Sequence, residues 1–430
     1  MNSTPAANRP HIVLAGKCNA GKSSLINSLT GRNLAIVSDT KGTTTDPVSK
    51  SMELLPFGPV VFVDTAGLDD QGELGAKRTA SAAAAISTAD LVVYVVNGRE
   101  ADAEDLAFVR HQRERALAPN GADVIVAATF AEQGDAQSAS PAFAELTRLG
   151  VEVHPVSNVS QAGVPALKEA IIGKLTARRA TEPTLLRHMV KEFQLVMLIV
   201  PIDLEAPAGR LILPQVQTIR EILDSDAATI VVKEREVDWV LSQLKRAPDL
   251  AITDSQVVLK ACGSVPESIP LTTFSILFSR FKGDLATFVR GVRAIDTLRS
   301  GDRVLLTESC AHHAHCDDIA RVKIPRWLRQ YTGKELDITV TSGAFPEDIA
   351  SYSLIVHCGG CMATRATMHA RLDEATSFGI PVTNYGVAIS YLQGVLDRVL
   401  KPFAAELDLS APMPTPAAAP TLAAAPPPAR

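Results

Sequence analysis

Gly16-Lys-Cys-Asn-Ala-Gly-Lys-Ser23 fits the pattern GxxxxGK[ST] and lies between an apolar run ending at Ala15 and a helical pattern starting near Ser23. A strand that enters a glycine-rich turn and leaves it as a helix admits few folds. The glycines let backbone N–H groups curl around an anion, and the helix N-terminus adds a partial positive charge. Gly16, Asn19, Ala20 and Gly21 therefore line a predicted phosphate cradle. Lys22 is spaced to reach β and γ oxygens, and Ser23, with Ser24 behind it, to ligate Mg2+. Asp64-Thr-Ala-Gly67 follows a second apolar run, residues 60–63, which brings Asp64 to the Mg2+ shell and the Gly67 N–H to a γ-phosphate.

The surrounding chain has the rhythm of an α/β protein. Up to about residue 177, β-rich runs at 12–15, 60–63, 91–96 and 124–127 alternate with helix-length Ala-rich stretches. A second region places strands at 195–200, 229–232 and 250–253 around helices at 214–223 and 237–244, a small unit with a packing or dimerisation role. A third, from 266, starts with two helices and continues with strands at 304–307, 337–340, 354–356 and 381–384. The expected architecture is three domains, each with a mainly parallel sheet. They are a P-loop nucleotide domain at 8–178, a dimerisation domain at 184–256 and a domain carrying a cysteine site at 265–403, followed by a disordered Ala/Pro-rich tail at 407–430. No repeat appears at solenoid periods.

Composition limits the function classes. With 42 basic against 47 acidic residues and no long Lys/Arg block, general nucleic-acid binding is not expected. No apolar run approaches the roughly 20 residues that cross a bilayer, and the first residues lack a signal-peptide pattern. The expected location is the cytoplasm, without a membrane partner.

The P-loop, Asp64-Thr-Ala-Gly67 and the intervening Gly42-Thr-Thr-Thr45 resemble the translation-factor-related small GTPases. The resemblance implies GTP/GDP as ligand and makes Thr43 or Thr44 the threonine that senses the γ-phosphate, so that Lys22, Thr44, Asp64 and Gly67 form the catalytic set. Leu68 stands where Ras-like enzymes carry the glutamine that positions water, which implies slow intrinsic hydrolysis. Asn19 is similar to the asparagine of the members that bind K+ beside the phosphates. Where the family carries Asn-Lys-x-Asp, this chain has Thr129-Phe-Ala-Glu132, in which Glu132 keeps a carboxylate for the guanine edge. Ser157, after the last strand, is the remaining base-contacting candidate.

Four of the six cysteines fall between Cys310 and Cys361. Cys310-Ala-His312-His-Ala-His-Cys316 follows one predicted strand and His357-Cys358-Gly-Gly-Cys361 another, so both stand at the carboxyl ends of parallel strands, where ligands bind in open α/β sheets. Three thiolates with a weaker fourth ligand suit an iron-sulfur cluster, whereas Cys316 as a fourth thiolate would make a zinc site chemically acceptable. His312 is the candidate nitrogen ligand; Cys18 and Cys262 read as small core residues.

A P-loop domain, a middle α/β domain and Cys-x-His followed by His-Cys-x-x-Cys resemble the HydF family of FeFe-hydrogenase maturation GTPases over about residues 10–402. The segments Ala206-Pro-Ala-Gly-Arg-Leu-Ile-Leu-Pro, His357-Cys-Gly-Gly-Cys-Met and Pro381-Val-Thr-Asn-Tyr-Gly carry the likeness. The resemblance implies a homodimer and a 4Fe-4S cluster on Cys310, Cys358 and Cys361, with His312 among the choices for its fourth position. It further implies a scaffold that receives a diiron precursor from radical-SAM maturases and passes it to the FeFe-hydrogenase apoprotein. The competing reading is a ribosome- or RNA-associated regulatory GTPase with a structural zinc domain.

Overall fold

The structure, a computed structural model, describes residues 8–31, 47–70, 73–117, 121–130, 141–202, 211–308, 319–361 and 363–407. In the first compact unit, β1 (His11–Ala15), β2 (Val48–Leu54), β3 (Gly58–Asp64), β4 (Leu91–Asn97), β5 (Asp123–Thr129) and β6 (Val153–Pro155) form one sheet in the order β2-β3-β1-β4-β5-β6. Only β2 runs antiparallel to its neighbour. β1, β3, β4 and β5 are near-continuous apolar runs because both of their faces are covered. On one face Ile12, Leu14, Phe62 and Val93 pack on Leu25, Leu167 and Ile171; on the other Val13, Val92, Tyr94 and Val126 pack on Ile86, Val109 and Phe143. The edge strand β2, Val-Ser-Lys-Ser-Met-Glu-Leu, is mostly polar and mostly exposed, as edges often are, so no apolar run announces it in the sequence.

The second unit holds two four-stranded sheets, every pair parallel. β7 (Leu195–Ile199), β8 (Ala228–Val232), β9 (Leu250–Thr253) and β10 (Leu271–Thr273) are ordered β10-β9-β7-β8. β11 (Arg303–Glu308), β12 (Asp337–Ser342), β13 (Leu354–His357) and β14 (Val382–Asn384) are ordered β12-β11-β13-β14. A boundary at 256, with the third domain starting at 265, needs correction: β10 pairs with β9 and completes the second sheet. Three residues, Leu-Thr-Thr, are too short a run to announce a strand.

The two sheets share one connectivity, with the first strand inside, the second outside it on one side, and the third and fourth on the other. The sequence carries a trace of this in Ile269-Pro-Leu-Thr-Thr-Phe and Ile380-Pro-Val-Thr-Asn-Tyr, a repetition too distant and too short to register as a solenoid period. Each segment enters the last strand of its sheet and caps the next helix. Thr273 Oγ1 accepts from the Ile276 N–H at the start of Phe274–Lys282, and Asn384 Oδ1 from the Val387 N–H at the start of Tyr385–Leu392. These two helices pack on each other, and Asn384 Nδ2 donates to Ser279 Oγ between them. No described helix is long and apolar enough to cross a membrane.

Candidate functional site

The first sheet runs from β1 to β3 on one side and then to β4 on the other, so the carboxyl ends of these strands border a crevice. The loop after β1 and the end of β3 meet there. Ser23 Oγ donates to Asp64 Oδ2 at 2.6 Å, and Asp64 Oδ1 is buried without a hydrogen-bond partner among the described residues. Burial pushes the Asp64 carboxyl above the usual carboxylate range, against the opposing pull of Ser23 and Lys22. A hard cation on these oxygens would offset the cost of burying the carboxylate, so the pair fits Mg2+, which takes a few oxygen ligands and keeps its waters. Lys22, 8% exposed, donates through Nζ to the carbonyls of Gly16 (2.9 Å) and Lys17 (2.7 Å), and burial lowers its pKa while Asp64 raises it. Gly67 closes on the loop so tightly that an added Cβ would lie 2.2 Å from Cys18 Sγ. Asn19 is exposed in a left-handed conformation, φ 57°, while Ala20 and Gly16 are buried and Ser24 is half-buried in the first helical turn.

Several supports of this loop carry no sequence motif. The Cys18 N–H donates to Asp69 Oδ1 at 2.6 Å. Lys17 pairs with Asp102 (2.5 Å) and Glu104 (3.1 Å) at the start of the helix Ala103–Ala116. Thr129 Oγ1, fully buried, stands 2.7 Å from the Ala20 carbonyl and 3.0 Å from that of Val96, its single proton serving one at a time. Thus Thr129, the first residue of the element that departs from Asn-Lys-x-Asp, still ties the nucleotide loop to β5. Ser157 is buried and accepts from Ser160 N–H within its own turn; its neighbour Asn158 reaches the Gly21 carbonyl at 3.4 Å. Thr43, Thr44 and Glu132 lie outside the described residues.

In the third sheet the chain leaves β11 toward β12 and returns at β13 on the opposite side, so the carboxyl ends of β11 and β13 flank the switch point. Cys358 and Cys361 are half-buried cysteines on the turn after β13. The Cys358 N–H donates to Thr307 O at 2.9 Å, which fastens the turn to the end of β11, and Gly360 takes a left-handed φ of 62° that favours glycine. His357 is held at both ring nitrogens. Arg371 can only donate, so Nη1 donates to His357 Nε2 (2.7 Å) and the other nitrogen, Nδ1, carries the proton that reaches Cys358 O (2.7 Å). Burial, opposed by that carbonyl and reinforced by Arg371, lowers the His357 pKa to about 4, so the ring is neutral at pH 7. Arg371 Nη2 also donates to Gly343 O at 2.7 Å.

Beneath the turn lies Lys282, the last residue of Phe274–Lys282 and 2% exposed, whose Nζ donates to Cys361 O (3.0 Å) and Gly360 O (3.3 Å). Burial lowers its pKa to about 8, against the opposing charges of Cys361 and Cys358, and leaves it cationic at pH 7. Two cysteines beside one buried and one half-buried cation are the chemistry of a site for a sulfur-ligated, negatively charged group. Cys310, His312 and Cys316 lie outside the described residues. Among the described residues no three His, Cys, Asp or Glu side chains converge as a metal site.

The first unit is therefore a P-loop nucleotide domain, joined to two further α/β domains. Residues 11–129 match the 50S ribosome-binding GTPase model, 185–283 the hydrogen maturase F dimerization domain and 286–402 the hydrogen maturase F tetramerization domain. With its N-terminal domain a GTPase domain and the rest matched by the two maturase models, the chain belongs to the hydrogen maturase F (HydF) family. It is 31% identical over 278 residues to the tRNA modification GTPase MnmE of Desulfotalea psychrophila, covering 63% of this chain and 50% of that protein. It is 38% identical over 167 residues to MnmE of Methylorubrum populi, covering 38% and 31%. The chain thus spans half or less of the length of these relatives. Among solved structures, an Era variant from Aquifex aeolicus bound to GDP.AlF4- aligns at 18% identity with a TM-score of 0.34, over 52% of this chain and 92% of that one.

Thr129→Val keeps the shape of the side chain and leaves the Ala20 carbonyl without its donor. It is expected to weaken GTP binding about tenfold, ~1.4 kcal/mol, in a titration with a fluorescent GTP analogue, with Thr129→Ser restoring affinity. Equal affinity of Thr129→Val and wild type would show that the loop holds its shape unaided.

Proposed function

We propose that this chain is a GTP-binding and hydrolysing scaffold of FeFe-hydrogenase maturation. In this reading Cys310, Cys358 and Cys361 hold a 4Fe-4S cluster, and the protein carries a diiron precursor with CO and CN⁻ ligands from radical-SAM maturases to the apo-hydrogenase. One observation carries it: in a chain of this family, the Cys358–Cys361 turn is hydrogen-bonded to Thr307 of β11 and backed by Lys282 and the Arg371–His357 pair. Cys310 follows Glu308, the last residue of β11, by two positions, or at most ~7 Å of chain. A cluster there would supply one iron whose fourth ligand a bridging group of the cargo displaces, and the three thiolates would keep it in place. His357, committed through both nitrogens, holds the turn, and in this reading the fourth position falls to His312, another residue, water or the precursor itself.

At the nucleotide, Lys22 would leave the loop carbonyls for the phosphate oxygens, Ser23 and Asp64 would hold Mg2+, and the Gly67 N–H with Thr44 would report the γ-phosphate. Leu68 offers no amide to orient water, so turnover is slow. Asn19, exposed beside the phosphate cradle, supports K+ as the stimulating ion. Hydrolysis is expected to run several-fold faster in K+ than in Na+ buffer at equal ionic strength, and equal rates would remove K+ from the mechanism.

Dimerisation falls to the second sheet. β8 is one edge of that sheet and pairs only with β7 among the described residues, with Val231 43% exposed, and Val216 (49%) and Leu223 (56%) are exposed on the adjoining helix Leu213–Asp224. Apolar side chains on an unpaired edge call for a partner. Val231→Asp in the full chain is expected to shift the sedimenting species from dimer toward monomer; an unchanged distribution would place the contact elsewhere.

The central test is the iron and sulfide content of the anaerobically reconstituted chain beside a Cys358→Ala, Cys361→Ala double variant. About four irons with matching sulfide, lost in the variant, is the expected result for a cysteine-held cubane. Zinc without sulfide would replace the scaffold reading by that of a regulatory GTPase.

A further inference from the structure

Lys282 belongs to the helix Phe274–Lys282 of the second sheet, yet it ends 79 residues away in sequence, against the turn of the third. Its stem passes the Phe278 ring, with Nζ 5.9 Å from the centroid. The carbonyls of Gly360 and Cys361 accept from its ammonium and so orient it toward the turn. A metal-bound Cys358 or Cys361 would offer this turn's opposite charge, as thiolate. A buried ammonium is costly unless such a charge faces it.

We propose that Lys282 is a positioning residue that sets the reduction potential of the cluster held by Cys358 and Cys361, by fixing the turn and by placing a buried positive charge against its thiolates. The inference rests on the cluster reading above. A four-iron cluster on cysteine thiolates is anionic and becomes more so when it accepts an electron, so a fixed nearby cation stabilises the reduced form more than the oxidised one. The step is a one-electron reduction: dithionite is oxidised, the electron passes through a soluble mediator to the cluster, and Lys282 neither gains nor loses a proton. Arg371 contributes differently, through His357 and the Cys358 carbonyl.

The test uses the full-length chain, anaerobically reconstituted with iron and sulfide, as wild type, Lys282→Met, Lys282→Gln and Lys282→Arg. Iron and sulfide per chain are measured first, and the cluster is then titrated with dithionite and mediators under EPR. Lys282→Gln keeps a donor for the carbonyls and removes the charge; Lys282→Met removes both. In both, the reduced-to-oxidised ratio at the wild-type midpoint is expected to fall about tenfold, a shift of about 59 mV to lower potential. Lys282→Arg, which keeps the charge, is expected to stay near the wild-type potential. Wild-type potential in Lys282→Gln with full iron content overturns the electrostatic role, whatever becomes of Lys282→Met. Absence of iron and sulfide from the wild type is a different failure, that of the cluster reading itself.

Discussion

Parallel strands buried on both faces leave one place where polar chemistry can gather, the carboxyl edge, and both reactive loops of this chain stand there. In the first sheet β1 delivers the phosphate loop and β3 delivers Asp64; in the third, β13 delivers Cys358 and Cys361 beside the end of β11. Register does the alignment. Thr307 lies opposite His357, and His357 opposite Asn384, so the second-last residue of β11 and the last residues of β13 and β14 form one row. The turn after β13 binds the first of them through the Cys358 N–H, and Tyr385 OH binds the same carbonyl at 3.1 Å. Because the row depends on β-pairing inside an apolar core, a thiol at position 358 is placed by Leu305, Ile355 and Val356, which are all fully buried.

What the sequence disclosed follows the range over which each signal acts. The phosphate loop and Asp64-Thr-Ala-Gly67 are legible because their chemistry needs fixed residue types at fixed short spacing. The fully buried strands β4, β5 and β11 are legible because burial on two faces writes itself as an unbroken apolar run. β2 is not, since an edge strand needs its charges, and neither is β10, whose three residues take their strand character from β9. The candidate site divides in the same way. Cys358 and Cys361 announce themselves, whereas Lys282 and Arg371 are ordinary basic residues on ordinary helices until tertiary packing brings them to the turn. Thr129 is the instructive case, since measured against a motif it counts as a loss, and in the structure its hydroxyl takes up the tether to the phosphate loop.

Both sites bury a lysine on the carbonyls of a turn, and the two lysines stand at opposite ends of their helices. Lys22 is the first residue of Lys22–Thr30, where the free N–H groups already make the surroundings positive. A cation there is held in tension with its own helix, and two carbonyls at 2.7 and 2.9 Å keep it until an anion provides something better. That is the condition a phosphate-binding residue needs. Lys282 is the last residue of Phe274–Lys282, where the unpaired carbonyls favour a positive charge. Two residues earlier Arg280 anchors the same helix, with Nε on Glu406 at 2.5 Å and Nη1 on Thr184 O at 3.1 Å. Lys282 is thereby fixed at the helix end that stabilises it, on a helix that Arg280 also pins, and has no cause to move when a ligand arrives. One lysine is arranged to be drawn out and the other to remain, which is the difference between a group that answers to a nucleotide and a group that maintains a field.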